Sequence, residues 1–234
     1  RIFIYSVATY STPQIIGKSG MTATKLSSST PADSALIDLN AAAVVRGGRL
    51  LFQNVNLSVM RGAVIQLAGK NGVGKTSLLR VLAGVLPPVK GGMTRRAGAR
   101  VAYLPADDAL WQGVISVRAA LADWGRAIGV AQMGVDDALA RVGMAALAGR
   151  SVAQLSMGQK RRLSWARIVL QHADVWLLDE PFNSLDDTGI DTVRVLMTAR
   201  VQAGGAIVAA CHEQLPAQLG AQAVQVIDLN AVAV

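Results

Sequence analysis

Gly69-Lys70-Asn71-Gly72-Val73-Gly74-Lys75-Thr76, followed by Ser77, has the spacing G-x-x-x-x-G-K-[ST]. Glycines let a backbone curl until successive N–H groups face one point, the arrangement that holds phosphate oxygens. A helix starting near Lys75 adds its N-terminal partial positive charge. In that frame Lys75 reaches the β- and γ-phosphates of a nucleotide, and the Thr76 hydroxyl is a ligand for Mg²⁺. Val175-Trp176-Leu177-Leu178-Asp179-Glu180 is an apolar run ending in two carboxylates. A strand of this kind puts its last side chains at the carboxyl edge of a sheet, beside a phosphate loop. Asp179 suits the Mg²⁺ shell, and Glu180 can polarise a water for in-line attack on the terminal phosphate. Alone, the pair would read as a solvated strand end; beside a phosphate loop that reading is weak.

Two further sites are less explicit. Leu155-Ser156-Met157-Gly158-Gln159 reads as a helix start with a small N-cap, Ser156, and a glycine for close approach, Gly158. Cys211-His212-Glu213 follows the apolar run 206–209. A lone histidine is usually structural or exposed, and Cys211 reads as a small buried filler.

These residues need a scaffold. Leu36–Val45 and Leu50–Val59 read as two strands around a Gly47-Gly48 turn. Short apolar strands follow at 63–67, 101–104, 175–178, 206–209 and 224–229. Helical spacing marks Ser77 to Leu86, stopped by Pro87-Pro88, and a helix through Leu163, Ala166 and Leu170. The Ala-rich stretch of about 108–150, with its Gly breaks, also reads as helical. Strands alternating with helices predict an α/β fold with a mainly parallel sheet covered on both faces.

Composition bounds the rest. The 234 residues are 52% hydrophobic, 16% charged and 4% aromatic, which excludes a disordered chain. Lys and Arg number 23 against 15 Asp and Glu, a net charge of +8. The basic residues are scattered and aromatic platforms are few, which argues against a nucleic-acid partner. No run of about 18 apolar residues could span a bilayer. Cys211 is the single cysteine and has no internal partner, as expected of a reducing compartment. Residues 1–34 carry only one acidic residue, Asp33, and are rich in Ser and Thr. They are expected to be a disordered leader or upstream extension, with the globular domain at 35–234 and a small helical subdomain at about 107–165.

Leu155-Ser156-Met157-Gly158-Gln159, continued by Lys160-Arg161-Arg162, resembles the LSGGQ signature of ABC-transporter ATPases, with Met157 where glycine is usual. The other motifs stand in that family's order over residues 36–234. The resemblance implies a P-loop NTPase fold of ABC type with an N-terminal antiparallel β part. It implies ATP and Mg²⁺, and a head-to-tail dimer in which Ser156, Met157, Gly158 and Gln159 grip the nucleotide of a second ATP-binding subunit. Asn183-Ser184-Leu185-Asp186 resembles the D-loop, and His212 the switch histidine that contacts the γ-phosphate. The adenine-stacking aromatic is replaced by Arg46, whose guanidinium can stack on a base. The glutamine that couples Mg²⁺ to the membrane partner is replaced by Asp107 or Asp108.

Arg46-Gly47-Gly48-Arg49-Leu50-Leu51-Phe52, Tyr103-Leu104 and the run Leu177 to Asp186 are similar to the ATP-binding subunits of bacterial haem exporters used in cytochrome c maturation. Pro105-Ala106 departs from the Gly-His frequent there. This likeness implies integral membrane permease partners, a haem chaperone system, and a peripheral place on the cytoplasmic face of the inner membrane. Other readings stay open: an ABC ATPase of another exporter, or a soluble ABC ATPase acting as a nucleotide switch. A DNA-repair ABC ATPase would need a long coiled coil between Thr76 and Ser156, and the chain between them is too short for one.

Overall fold

The computed structural model describes residues 35–107, 111, 113–129, 134–216, 218–220 and 222–231. The expected leader 1–34 and Asp108 lie outside them.

Strands β1 (Ile37–Arg46) and β2 (Arg49–Val59) form an antiparallel hairpin closed by Arg46↔Arg49. Gly47 and Gly48 both take positive φ, 56° and 76°, as the tight turn of a twisted hairpin requires. The third strand of this sheet, β4 (Lys90–Arg95), pairs with β1 on its other side. Its sequence, Lys-Gly-Gly-Met-Thr-Arg, has no alternation to betray a strand; pairing with β1 makes it one.

The main sheet runs in the order β5-β6-β7-β3-β9-β8. It contains β3 (Val64–Ala68), β5 (Val101–Leu104), β6 (Val175–Asp179), β7 (Ala206–Ala210), β8 (Gln218–Leu219) and β9 (Gln222–Asp228). All neighbours are parallel except the short β8, which runs antiparallel to β9. Every residue of β6 and β7 is buried. Val175, Leu177, Val208 and Ala210 pack toward the antiparallel sheet and α1 (Lys75–Leu82). Trp176, Leu178, Ile207 and Ala209 pack toward the helices of the other face. Two-sided burial explains why these strands read as continuous apolar runs.

Those helices are α2 (Val117–Ala127), α3 (Val135–Arg141), α4 (Met157–Leu170) and α5 (Asp187–Gln202). Gly breaks and two short 3₁₀ turns divide what the sequence reads as one Ala-rich helical stretch. Helix α1 stops at Leu82 rather than Leu86. Gly84 turns left-handed at φ 75°, and the Arg95 guanidinium donates to the Leu82 and Ala83 carbonyls at 3.5 and 3.2 Å.

Candidate functional site

Strands β3, β7 and β6 are neighbours and parallel, so the segments leaving their carboxyl ends meet at one edge of the sheet. The register sets Leu67, Ala210 and Asp179 in one row. The glycine loop begins two residues after Leu67, Cys211-His212 comes after Ala210, and Glu180 after Asp179. Topology alone brings the motifs together.

Helix α1 has Gly74 as its N-cap, no side-chain cap and no acidic residue in its first turn. Its first N–H groups are therefore donors for an anion. Gly74 has φ 114°, and a Cβ there would lie 2.9 Å from the Phe52 ring. Only glycine fits both constraints. The Lys75 ammonium donates to the Gly69 and Lys70 carbonyls at 2.7 and 3.2 Å. Val73 turns inward against the core below the antiparallel sheet. Asn230 braces the loop from outside, its Oδ1 accepting the Lys70 N–H at 3.2 Å while Asp228 holds its side chain and its own N–H. No sequence signal marks Asn230.

The Thr76 hydroxyl donates to Asp179 Oδ1 at 3.1 Å, and the Tyr103 hydroxyl to Oδ2 at 3.4 Å. Burial pushes the Asp179 carboxyl above the ordinary carboxylate range, while these hydrogen bonds and nearby Arg80 and Arg161 pull against it. The Tyr103 phenol is pushed up to about 12 by burial and by Asp179. Thr76 and Asp179 present two hard oxygens side by side, a donor pair that fits Mg²⁺ completed by phosphate and water. Among the described residues, no group of three or more His, Cys, Asp or Glu could hold a metal alone.

Glu180 sits at φ 47°, an unusual conformation for a residue with a Cβ. Its N–H donates to the Ala210 carbonyl at 2.7 Å. Its carboxylate Oε1 stands 3.4 Å from His212 Nε2, with the glutamate side chain 18% exposed and the histidine 59%.

Helix α4 holds this edge from behind. Arg161 is fully buried and donates to the carbonyls of Pro105 (2.7 Å), Asp179 (2.9 Å) and Glu180. Trp165 Nε1 donates to the Pro181 carbonyl at 3.0 Å, and Arg167 to that of Tyr103 at 2.8 Å. In the sequence Arg161 stands out only as a continuation of the signature; its position on the inner face of α4 is the available clue to this second role.

A cavity of about 340 Å³ is lined by Arg46, Leu51, Asn71, Gly72, Gly74, Lys75, Thr76, Ser77, Ala106, Asp179 and Glu180. Asp107 is exposed and outside this lining. Ser156, Met157, Gly158 and Gln159 do not line it either. They start α4 with a full capping box: Ser156 Oγ accepts the Gln159 N–H at 3.2 Å, and Gln159 Oε1 accepts the Ser156 N–H at 3.0 Å. Met157 is 74% exposed. Asp186 caps α5 through the Gly189 N–H at 3.0 Å and pairs with Arg162 at 2.6 Å.

The family model described as ABC transporter matches residues 52–183. The chain is 39% identical over 183 residues to the cytochrome c biogenesis ATP-binding export protein CcmA of Nitrobacter winogradskyi, covering 75% of this chain and 91% of that one. It is 39% identical over 194 residues to the protein of the same name from Rhodobacter capsulatus, covering 83% and 87%. Among solved structures, an ABC transporter ATP-binding protein from Pyrococcus furiosus is similar in fold, with a TM-score of 0.72 at 22% identity, covering 85% of this chain and 99% of that one. A dimeric ATP-binding cassette bound to ADP and Pi gives 0.66 at 16% identity, covering 76% and 88%.

Proposed function

The chain belongs to the ABC transporter family and, within it, to the cytochrome c biogenesis ATP-binding export proteins, and from that premise we propose that it powers haem export for c-type cytochrome assembly. It is an ABC-type ATPase. The observation that carries the chemical reading is the junction of Lys75, Thr76, Asp179 and Glu180 in one cavity, with His212 reaching Glu180.

In this reading ATP lies along the glycine loop with its phosphates on the N–H groups that open α1. Lys75 exchanges its carbonyl partners for β- and γ-phosphate oxygens, and Arg46 lies against the base. Thr76 and Asp179 hold Mg²⁺, which supplies neutralisation of phosphate charge. Glu180 orients the attacking water and accepts its proton, and His212 holds the γ-phosphate side of that water's path. The backbone bonds of Glu180 to Ala210 and Arg161 fix where that carboxylate stands.

The signature lies off its own chain's cavity, with Met157 exposed, which supports a second copy of the chain as the taker of Ser156 to Gln159. Asp186 is the D-loop residue of the same interface. Among the described residues no helix is long and apolar enough to cross a membrane. Permease subunits carry the haem path, with this chain peripheral on the cytoplasmic face of the inner membrane and a haem chaperone beyond.

The test is Glu180→Gln in the complex with its membrane partners. ATP turnover is expected to fall by about 10²- to 10⁴-fold while ATP binding persists. Unchanged turnover removes Glu180 as the base. Partners that handle no haem, and normal c-type cytochrome assembly when the chain is deleted, remove the cargo assignment.

A further inference from the structure

Gln66 stands in β3, the strand that feeds the glycine loop, and is only 5% exposed. Its neighbours Ile65 and Leu67 pack into the core beneath the antiparallel sheet. By strand alternation Gln66 points to the opposite face. A carboxamide buried there is costly unless both its ends are bonded. Both are: Nε2 donates to the Glu213 carbonyl at 3.0 Å, and Oε1 accepts the Leu215 N–H at 3.0 Å.

These two backbone groups belong to the turn that carries His212. Strand pairing between β3 and β7 ends at Leu67↔Ala210, so beyond that row no ladder holds the chain. The Gln66 side chain continues the ladder in its place. A second hold acts on the same atom, because the Cys211 thiol donates to the Glu213 carbonyl at 3.2 Å. Burial, reinforced by the Glu180 and Glu213 carboxylates, pushes that thiol up to about 12, so its proton stays on sulfur. The His212 ring itself is more than half exposed, at 59%, so little packing fixes its direction. The backbone on either side of the ring sets that direction instead.

We propose that Gln66 is a positioning residue for His212. It fixes the turn after β7 so that Nε2 stays within reach of Glu180, and it ties that turn to the strand leading into the phosphate loop. The inference rests on the reading of Glu180 and His212 as the catalytic pair. Its mechanism is orientation alone, with no contact between Gln66 and nucleotide.

The chain has two histidines, His172 and His212, so the imidazole resonances in an NMR spectrum can be assigned with His212→Ala. Gln66→Leu, which fills the space without bonding, should displace or broaden the His212 signal and leave that of His172 in place. Turnover should fall about tenfold with the KM for MgATP within about twofold, since orientation rather than binding is lost. In a His212→Ala background, Gln66→Leu should cause no further fall. Gln66→Met, unbranched and similar in length, bonds neither Glu213 nor Leu215; it should show the same displacement, and it carries the test if Gln66→Leu does not fold. An unchanged His212 resonance in a folded variant overturns the proposal, as does an additive loss in the His212→Ala background. Full turnover of His212→Ala alone overturns the catalytic role of His212, while the resonance still decides whether Gln66 orients it.

Discussion

A Cβ on Gly158 would stand 2.7 Å from the carbonyl oxygen of Ser184. The start of the signature helix therefore rests directly on the loop that follows Glu180. Ser184 takes φ 63°, a left-handed conformation that turns this carbonyl toward α4. The obstacle is backbone and cannot swing aside as a long side chain would.

Gly158→Ala is consequently a signed test. Inside an ordinary helix the change would stabilise by about 1 kcal/mol. Here overpacking against Ser184 should win and destabilise by about 1–3 kcal/mol. Chemical denaturation reads the sign, and a more stable variant would show that the two segments are not in contact.

Arg161 should resist even conservative replacement. In Arg161→Lys one ammonium cannot serve the Pro105, Asp179 and Glu180 carbonyls together, so buried acceptors lose partners. A loss of about 2–3 kcal/mol is expected, with turnover falling more than ATP affinity because the backbone of Glu180 is released. Thermal unfolding and parallel binding and turnover assays separate the two effects.

Asp179 is expected to trade stability for metal binding. Its folded carboxyl titrates above the ordinary value because of burial, so its contribution to stability is present below the unfolded value of about 3.9 and is lost as pH rises through the higher folded one. Asp179→Asn should unfold at no lower a temperature at neutral pH. Its Mg²⁺ affinity in the presence of ATP should drop at least about tenfold. A lower unfolding temperature together with unaltered Mg²⁺ dependence would contradict both halves.

Asp186 titrates in the opposite sense. The Arg162 hydrogen bond first, and the Gly189 N–H next, hold its carboxyl below the ordinary range. Its contribution is complete above the unfolded value of about 3.9 and is lost as pH falls through the lower folded one. Urea unfolding followed into the acid range should show a shallower fall for Asp186→Asn than for the parent chain. Identical acid limbs would mean that the pair with Arg162 is fully screened.

The motifs that define the site were legible because each is a short stretch with its chemistry written in residue type. Their convergence was legible too, since apolar runs ending at Gly69, Glu180 and Cys211 imply parallel strands that share an edge. Strand β4 was not, because Lys-Gly-Gly-Met-Thr-Arg acquires its conformation from β1. Helix α5 was not legible either, although Asp186 offers a cap and Val193, Leu196 and Met197 a buried stripe; its β-branched and threonine-rich turns blur the period. Gln66 and Asn230 escaped because a single amide carries no pattern, and its value lies in partners 147 to 160 residues away.

Strands β6 and β7 have no face that water can wet. Val175 and Leu177 lie under α1, which packs in turn on β1, just as Trp176 and Leu178 depend on the helices of the other face. The hairpin of β1 and β2 is therefore the outer cover of the layer that shields the segment bearing Asp179 and Glu180. A chain trimmed of that hairpin would leave the apolar core between α1 and β1 open to its neighbours and aggregate instead of yielding a smaller, working nucleotide site.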